Sequence, residues 1–207
     1  IPGLAKSWEI SDDGKEYIFH LNSSVTFHDG STMDASDVKF SLDRARAEDS
    51  TNAQKALFSS IENVEVLSSD KVKVTLTSPN GSFLFNMAWG DAVIVAPETI
   101  DEIKTNPIGT GAFKFSNWVQ GDKIELLRND QYWGKPAHLE SATFKFISDP
   151  SAAFSAMMAQ DIDAFAGFPA PENLVQFEAD NRFQVLVGNT EGETILSTNN
   201  KMPPLDK

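Results

Sequence analysis

The chain has 207 residues, 41% of them hydrophobic and 23% charged, enough apolar material to bury a core in one large or two small domains. Its formal charge of -13 excludes a nucleic-acid surface built on clustered Lys and Arg, and the acidic excess, spread along the chain, serves solubility. There is no Cys, which excludes disulfides, thiol nucleophiles and Cys-based zinc sites.

No apolar run approaches the roughly 20 residues that span a bilayer, and no charged and apolar leader opens the chain. Opening at Ile1-Pro2-Gly3 without Met leads us to expect a processed or excised fragment.

In chain order, Leu4 to Trp8 leads into a turn at Ser11-Asp12-Asp13-Gly14, where Asp suits a turn backbone and Gly supplies positive φ. Glu16 to Leu21 alternates, with Tyr17, Phe19 and Leu21 on one face, and predicts a half-buried strand. Val25 to His28 predicts a second short strand, ended by Asp29-Gly30. Asp34 opens a helix to about Ala47, because its carboxylate can accept from free amides, Asp37 suits the positive dipole end, and Ala35, Val38, Leu42 and Ala45 share a face. Ile61 to Leu67 and Val72 to Leu76 flank Ser68-Ser69-Asp70-Lys71 as a hairpin with Val72, Val74 and Leu76 inward. Ser82 to Trp89 predicts a buried helix, and Pro97 to Lys104 a short surface helix with Pro97 in its first turn.

Asn106 to Gly134 organises the rest. Two alternating runs, Ala112 to Val119 and Ile124 to Arg128, are joined by Gln120-Gly121-Asp122-Lys123, a hairpin signal. The element pattern changes there, so a boundary near Asn106 is expected, separating a small α+β domain, 1–105, from a second domain, 106–207. Beyond the hairpin the prediction is a strand at Ala142 to Ile147, a helix started by Asp149-Pro150 with Phe154, Met157 and Met158 inward, a strand at Ile162 to Phe165, a helix at Pro171 to Ala179, and strands at Phe183 to Val187 and Thr194 to Thr198. This alternation predicts an α/β layer and, for the whole chain, a mixed α/β fold.

Residues that carry chemistry are sparse. His20, His28 and His138 are scattered; His20 and His28 could face each other across a hairpin, but no carboxylate at ligand spacing completes a metal site. Gly109-Thr110-Gly111 lacks the Lys-Ser/Thr of a phosphate loop and precedes a strand. Asp12-Asp13 sits in a turn and Asp161-Ile162-Asp163 caps a helix-to-strand junction, so surface solvation is favoured over acid-base catalysis, and no Ser stands in a nucleophile-elbow context. No cofactor is implied, and an enzyme is not the expected reading. Among the 15 Phe, Phe168 stands apart in Gly167-Phe168-Pro169-Ala170, between a strand end and a helix start, where open α/β sheets collect ligands. It is weighed equally as a loop residue packed over the core.

The runs Leu4-Ala5-Lys6-Ser7-Trp8-Glu9-Ile10-Ser11-Asp12-Asp13-Gly14, Phe19-His20-Leu21, Val25-Thr26-Phe27-His28-Asp29-Gly30 and Ala35-Ser36-Asp37-Val38-Lys39-Phe40-Ser41 resemble family 5 extracellular solute-binding proteins, the dipeptide and oligopeptide receptors of ABC importers. The resemblance continues through Asn106-Pro107-Ile108-Gly109-Thr110-Gly111, Tyr132-Trp133-Gly134, Ile162-Asp163 and Asn199 to Asp206. Three turn positions depart from it: Ala112 stands where the family usually has Pro, Asn22-Ser23-Ser24 where it often has a basic residue and Gly, and Gln160 where Gly commonly precedes the acidic-Ile-Asp motif.

The resemblance implies a type II periplasmic-binding-protein clamshell in part: the small inserted domain and an incomplete first lobe, without the C-terminal lobe. It implies a peptide or related small solute as ligand, an ABC permease as partner of the parent protein, and a place outside the cytoplasmic membrane, on the membrane if the parent is a lipoprotein. It implies Phe168, Pro169 and Ala170 with Thr194, Ile195 and Leu196 as cleft-lining residues, and weak binding by the fragment alone. A nickel chelate, haem, glutathione or an oligosaccharide are alternative ligands, and a truncated interaction module is the alternative role.

Overall fold

Alternation of Tyr17, Phe19 and Leu21 with Ile18 and His20 lets one strand serve a buried and a wetter face at once, and the sheet grows around it. The computed structural model describes residues 3–188. In it β1 (Ala5–Ile10) and β4 (Lys71–Leu76) flank β2 (Glu16–Leu21), and β3 (Ile61–Ser68) closes an antiparallel sheet of order β1-β2-β4-β3. Trp8 opposes Phe19, Tyr17 opposes Val74, and Val74 opposes Val64. The β1–β2 turn is closed by Gly14 N–H donating to Ser11 C=O at 2.9 Å, with Gly14 at φ +69°.

Helix α1 (Ala35–Arg46) lies against β3 and β4. Its start is a reciprocal capping box: Asp34 Oδ1 accepts from Ser36 N–H at 2.6 Å, and Asp37 Oδ2 accepts from Asp34 N–H at 2.8 Å. Its later turns are tied to β3 by Lys39 Nζ donating to Val64 C=O at 2.9 Å and by Arg46 donating to the Ile61 and Glu62 carbonyls. The core between them holds Val38, Leu42, Phe58, Val64, Val72, Val74, Leu76 and Phe83. The Phe83 ring, fully buried, sits 4.7 Å from that of Tyr17.

The expected strand at Val25 to His28 is instead a compact loop with one bridge, Thr26 to Thr32. Phe27 and Met33 N–H donate to Ser31 and Val25 carbonyls, while Val25 and Phe27 turn into the core; the alternation is there, but the turn is too tight to extend the ladder. Asn22 Oδ1 accepts from Ser24 N–H and from its hydroxyl at 3.1 and 2.8 Å. An Asx turn thus closes the Asn22-Ser23-Ser24 segment. The buried helix expected at Ser82 to Trp89 shortens to α2 (Phe83–Met87), which buries Phe83 and Asn86 and leaves Phe85 65% exposed. The expected helix at Pro97 to Lys104 is one 3-10 turn, Pro97–Thr99, followed by turns.

A second antiparallel sheet, order β5-β6-β7, comprises β5 (Phe113–Val119), β6 (Lys123–Arg128) and β7 (Ser141–Lys145), with Gly121 at φ +78° in the expected hairpin turn. This sheet begins just beyond Asn106, but the chain divides into the units Ile1–Phe146 and Ile147–Lys207. Both sheets fall in the first unit, because Ile108 and Trp133 pack against the first core and His28 bonds to Gly109 and Gly111.

In the second unit, α3 (Pro150–Met158) starts where Asp149-Pro150 predicts, the Asp149 carboxylate accepting from Ala152 N–H at 2.7 Å. The predicted helix from Pro171 appears as a 3-10 turn, Pro171–Asn173, and α4 (Leu174–Glu178). The strands predicted at Ile162 to Phe165 and Phe183 to Val187 do not form among the described residues. A strand needs a paired neighbour, and here Phe165 and Phe183 instead give their rings to an aromatic cluster with Phe168 and Phe177. The strand predicted at Thr194 to Thr198 lies outside the described residues.

Candidate functional site

The Phe168 segment connects α3 to the 3-10 turn at Pro171. Phe177 on α4 is the hub beneath it: Phe154 lies 5.2 Å away, Phe183 5.0 Å, and Phe168 5.1 Å edge-on. Phe168 also meets Phe165 edge-on at 5.4 Å, so this half-buried ring is part of the packing of its unit. Pro169 is exposed, whereas Ala170 is 1% exposed and turns its methyl inward. Thr194, Ile195 and Leu196 lie outside the described residues.

A further concavity lies in the first unit. A cleft of about 650 Å³ runs between the segment 92–95 and the face of the second sheet, lined by Val93, Ile94, Ile108, Phe113, Phe115 and Trp118, with His28, Lys104 and Thr110 among its polar groups. That volume falls in the range of small-molecule sites. Its signal in the sequence is the apolar face of the hairpin, where Phe113 and Phe115 alternate with Lys114 and Ser116.

One wall of this cleft is the turn Gly109-Thr110-Gly111. Gly109 N–H donates to His28 Nδ1 at 3.2 Å, the other ring nitrogen, Nε2, lies 3.0 Å from Gly111 C=O, and His28 N–H donates to Gly109 C=O at 2.8 Å. Trp133 Nε1–H donates to Thr110 C=O at 3.0 Å, and Asn129 Nδ2 to Gly111 C=O at 3.2 Å. A Cβ at Gly109 or Gly111 would meet nothing closer than 3.7 Å, so the turn is held by its partners and does not depend on the absence of side chains.

His20 does not face His28; its Nε2 lies 2.6 Å from Glu9 Oε1 across β1 and β2. The Asp13 carboxyl is held below the usual carboxylate range by the Ser11 hydroxyl and the Lys15 amide, and Asp29 likewise by the Ser31 hydroxyl and amide; both are turn-builders. Burial pushes the Asp37 carboxyl up, helped by the Asp34 and Glu98 charges. On Asp43 burial works upward too, but Lys39 and Arg46 outweigh it and hold the group low. None of these four carboxylates is among the residues lining the clefts. Among the described residues no group of three or more His, Asp or Glu is placed to hold a metal ion, and no helix is long and apolar enough to cross a membrane. What the geometry offers is contact surface.

The family of bacterial extracellular solute-binding proteins, family 5 Middle, matches residues 1–207. The glutathione-binding protein GsiB of Pectobacterium atrosepticum is 32% identical over 210 residues, covering 98% of this chain and 40% of that protein. The dipeptide-binding protein of Escherichia coli is 28% identical over 237 residues, covering 100% and 43%. Among solved structures, Haemophilus influenzae OppA in complex with the peptide RPPGFSPFR superposes with TM-score 0.83 at 26% identity, covering 100% of this chain and 45% of that one. Campylobacter jejuni NikZ in complex with Ni(L-His) gives TM-score 0.82 at 31% identity, covering 89% and 38%. The chain thus spans about two-fifths of the length of these relatives, and its mixed α/β fold is part of the type II periplasmic-binding-protein clamshell. It belongs to the bacterial extracellular solute-binding proteins of family 5.

Proposed function

We propose that this chain supplies part of the solute receptor of an ABC importer, which captures a peptide or a related small solute outside the cytoplasmic membrane and hands it to a permease by domain closure. The observation that carries this reading is the match of one receptor family to all 207 residues, supported by superposition on a peptide-bound receptor. The described residues suit a receptor: they offer clefts and aromatic surface.

In this reading 1–105 is the small inserted domain and 106–207 the core of the first ligand-binding lobe. Phe168, Pro169 and Ala170, with Thr194, Ile195 and Leu196, line one wall of the solute cleft. The exposure of Pro169 and the partial exposure of Phe168 support that role, and the ring contacts of Phe168 with Phe165 and Phe177 support the loop from within its unit. A cleft with two walls buries most of its ligand, so the 207-residue chain alone binds weakly. A glutathione or metal-chelate ligand is the alternative, favoured by the GsiB and NikZ likenesses.

Calorimetry tests this, with a dipeptide, an oligopeptide, glutathione and Ni(L-His) titrated separately into the reading frame that carries this sequence and into the 207-residue chain. The expected result is tight binding of one solute class by the former, reduced by Phe168→Ala, and none at micromolar concentration by the latter. Micromolar binding by the 207-residue chain would overturn the one-wall reading, and no binding of any solute by the full frame would overturn the receptor reading.

A further inference from the structure

The Gly109-Thr110-Gly111 turn is gripped by side chains that are far away in sequence and come from both sheets of the first unit. His28 belongs to the loop that leaves β2, whose Val25 and Phe27 are buried in the first core. Asn129, 2% exposed, follows β6. Trp133 follows Asn129, and its ring packs against the first core while its N–H holds Thr110.

The imidazole roles are fixed by the partners. Gly109 N–H has only a proton to offer, so His28 Nδ1 accepts; Nε2 must then carry the ring proton, and it donates to Gly111 C=O. One rigid ring thus bridges both ends of a three-residue turn. The His28 carbonyl in addition lies 3.4 Å from Lys114 Nζ on β5.

We infer that His28, as the neutral Nε2–H tautomer, couples the two sheets, with Trp133 as a second pin, so that the entry of β5 into its sheet is set by the first core. Bonds that share an acceptor and a ring in this way act as a unit, and losing the imidazole leaves the Gly109 N–H and part of the Gly111 C=O without their partner. The first sheet has its own core, whereas none of the buried residues of that core comes from β5, β6 or β7, which join it through Ile108, Trp133 and this turn. The inference goes beyond solute capture and stands whatever the solute is.

The test is native-state hydrogen exchange, resolved by residue, on the 207-residue chain and its His28→Ala, His28→Gln and Trp133→Phe variants. In His28→Ala the ladder amides of β5 and β6 are expected to exchange about tenfold faster, while those of β2 and β4 keep their protection, which also shows that the variant folds. His28→Gln, whose amide offers a donor and an acceptor in one plane, is expected to recover part of the loss. Trp133→Phe, which keeps a ring but no N–H, is expected to shift the same amides by less. Long-range proton–nitrogen spectra of wild type are expected to place the imidazole proton on Nε2. Equal acceleration in both sheets, no acceleration in either, or a proton on Nδ1 would each overturn the inference.

Discussion

Replacing Gln160 with Gly should stabilise the protein, although it deletes a side chain. The residue follows the C-cap of α3, Ala159, and has φ +62°, the one positive φ found outside glycine among the described residues. Gln160 N–H donates to Met157 C=O at 3.0 Å and Asp161 N–H to Ala156 C=O at 2.9 Å. Those are the two bonds of a Schellman motif, whose turning residue is ordinarily Gly. A side chain in the left-handed region costs about 1–2 kcal/mol, and Gly gives back about 0.5–1 kcal/mol through its greater freedom in the unfolded chain. The difference leaves Gln160→Gly more stable by about 0.5–1 kcal/mol. Gln160→Ala retains Cβ and should change stability little, which separates backbone relief from loss of the amide side chain. Urea midpoints of the three proteins, with hydrogen exchange of the α3 amides, measure both. A Gly variant no more stable than wild type, or an Ala variant as stable as the Gly one, would refute the reasoning.

Three further outcomes are expected. Ser41 is buried on α1; its hydroxyl lies 2.7 Å from Asp37 C=O and accepts from Val95 N–H at 2.9 Å, so Ser41→Ala strands a buried amide and should cost about 1–3 kcal/mol, read as faster exchange at Val95. Phe83→Ala empties the centre of the first core and should cost about 3–5 kcal/mol in urea unfolding. Asp37, whose carboxyl burial pushes up, contributes stability that is full below the ordinary carboxylate value of about 3.9 and is lost as pH rises through the raised value. Asp37→Asn keeps an acceptor for the Asp34 N–H and removes that charge, so the difference in urea midpoint between variant and wild type should be more favourable to the variant at pH 7 than at pH 4; a pH-independent difference would contradict it.

Local chemistry makes α1, the hairpin strands and α3 legible in the sequence: capping carboxylates at Asp34 and Asp149, a four-residue turn at Ser68 to Lys71, strict alternation in β4, and the Gly121 turn between β5 and β6. Where the reading failed, partners elsewhere in the chain decided. Val25 to His28 alternates like a strand but is bent by the Asp29-Gly30 turn and pulled inward by Val25 and Phe27. Phe165 and Phe183 sit in strand-like runs, yet the described residues provide a ring cluster for them and no ladder. Sequence alone leaves Phe168 between ligand contact and packing; its two edge-on neighbours account for the packing, and solute contact is the proposal. The cleft of the first unit was not legible because its walls come from 92–95, 103–110 and the β5–β6 hairpin, segments whose approach no local pattern encodes.

The motifs that carry the family resemblance are therefore of an unusual kind. Thr26-Phe27-His28-Asp29-Gly30, Gly109-Thr110-Gly111 and Tyr132-Trp133-Gly134 meet in the structure: His28 holds the Gly109 and Gly111 carbonyls, Trp133 that of Thr110, and Asn129, just before the third motif, donates to Gly111 as well. Side chains that bond to backbone are indifferent to which solute is carried, whereas contacts to a solute must differ between a receptor for dipeptides and one for a nickel chelate. A sequence read through such motifs reveals the scaffold and its family and stays silent on the ligand. It follows that substitutions at His28, Asn129 and Trp133 should alter stability and sheet coupling without changing which solute class the receptor selects, that substitutions at the exposed Pro169 should do the reverse, and that Phe168→Ala, which also removes two ring contacts, should affect both.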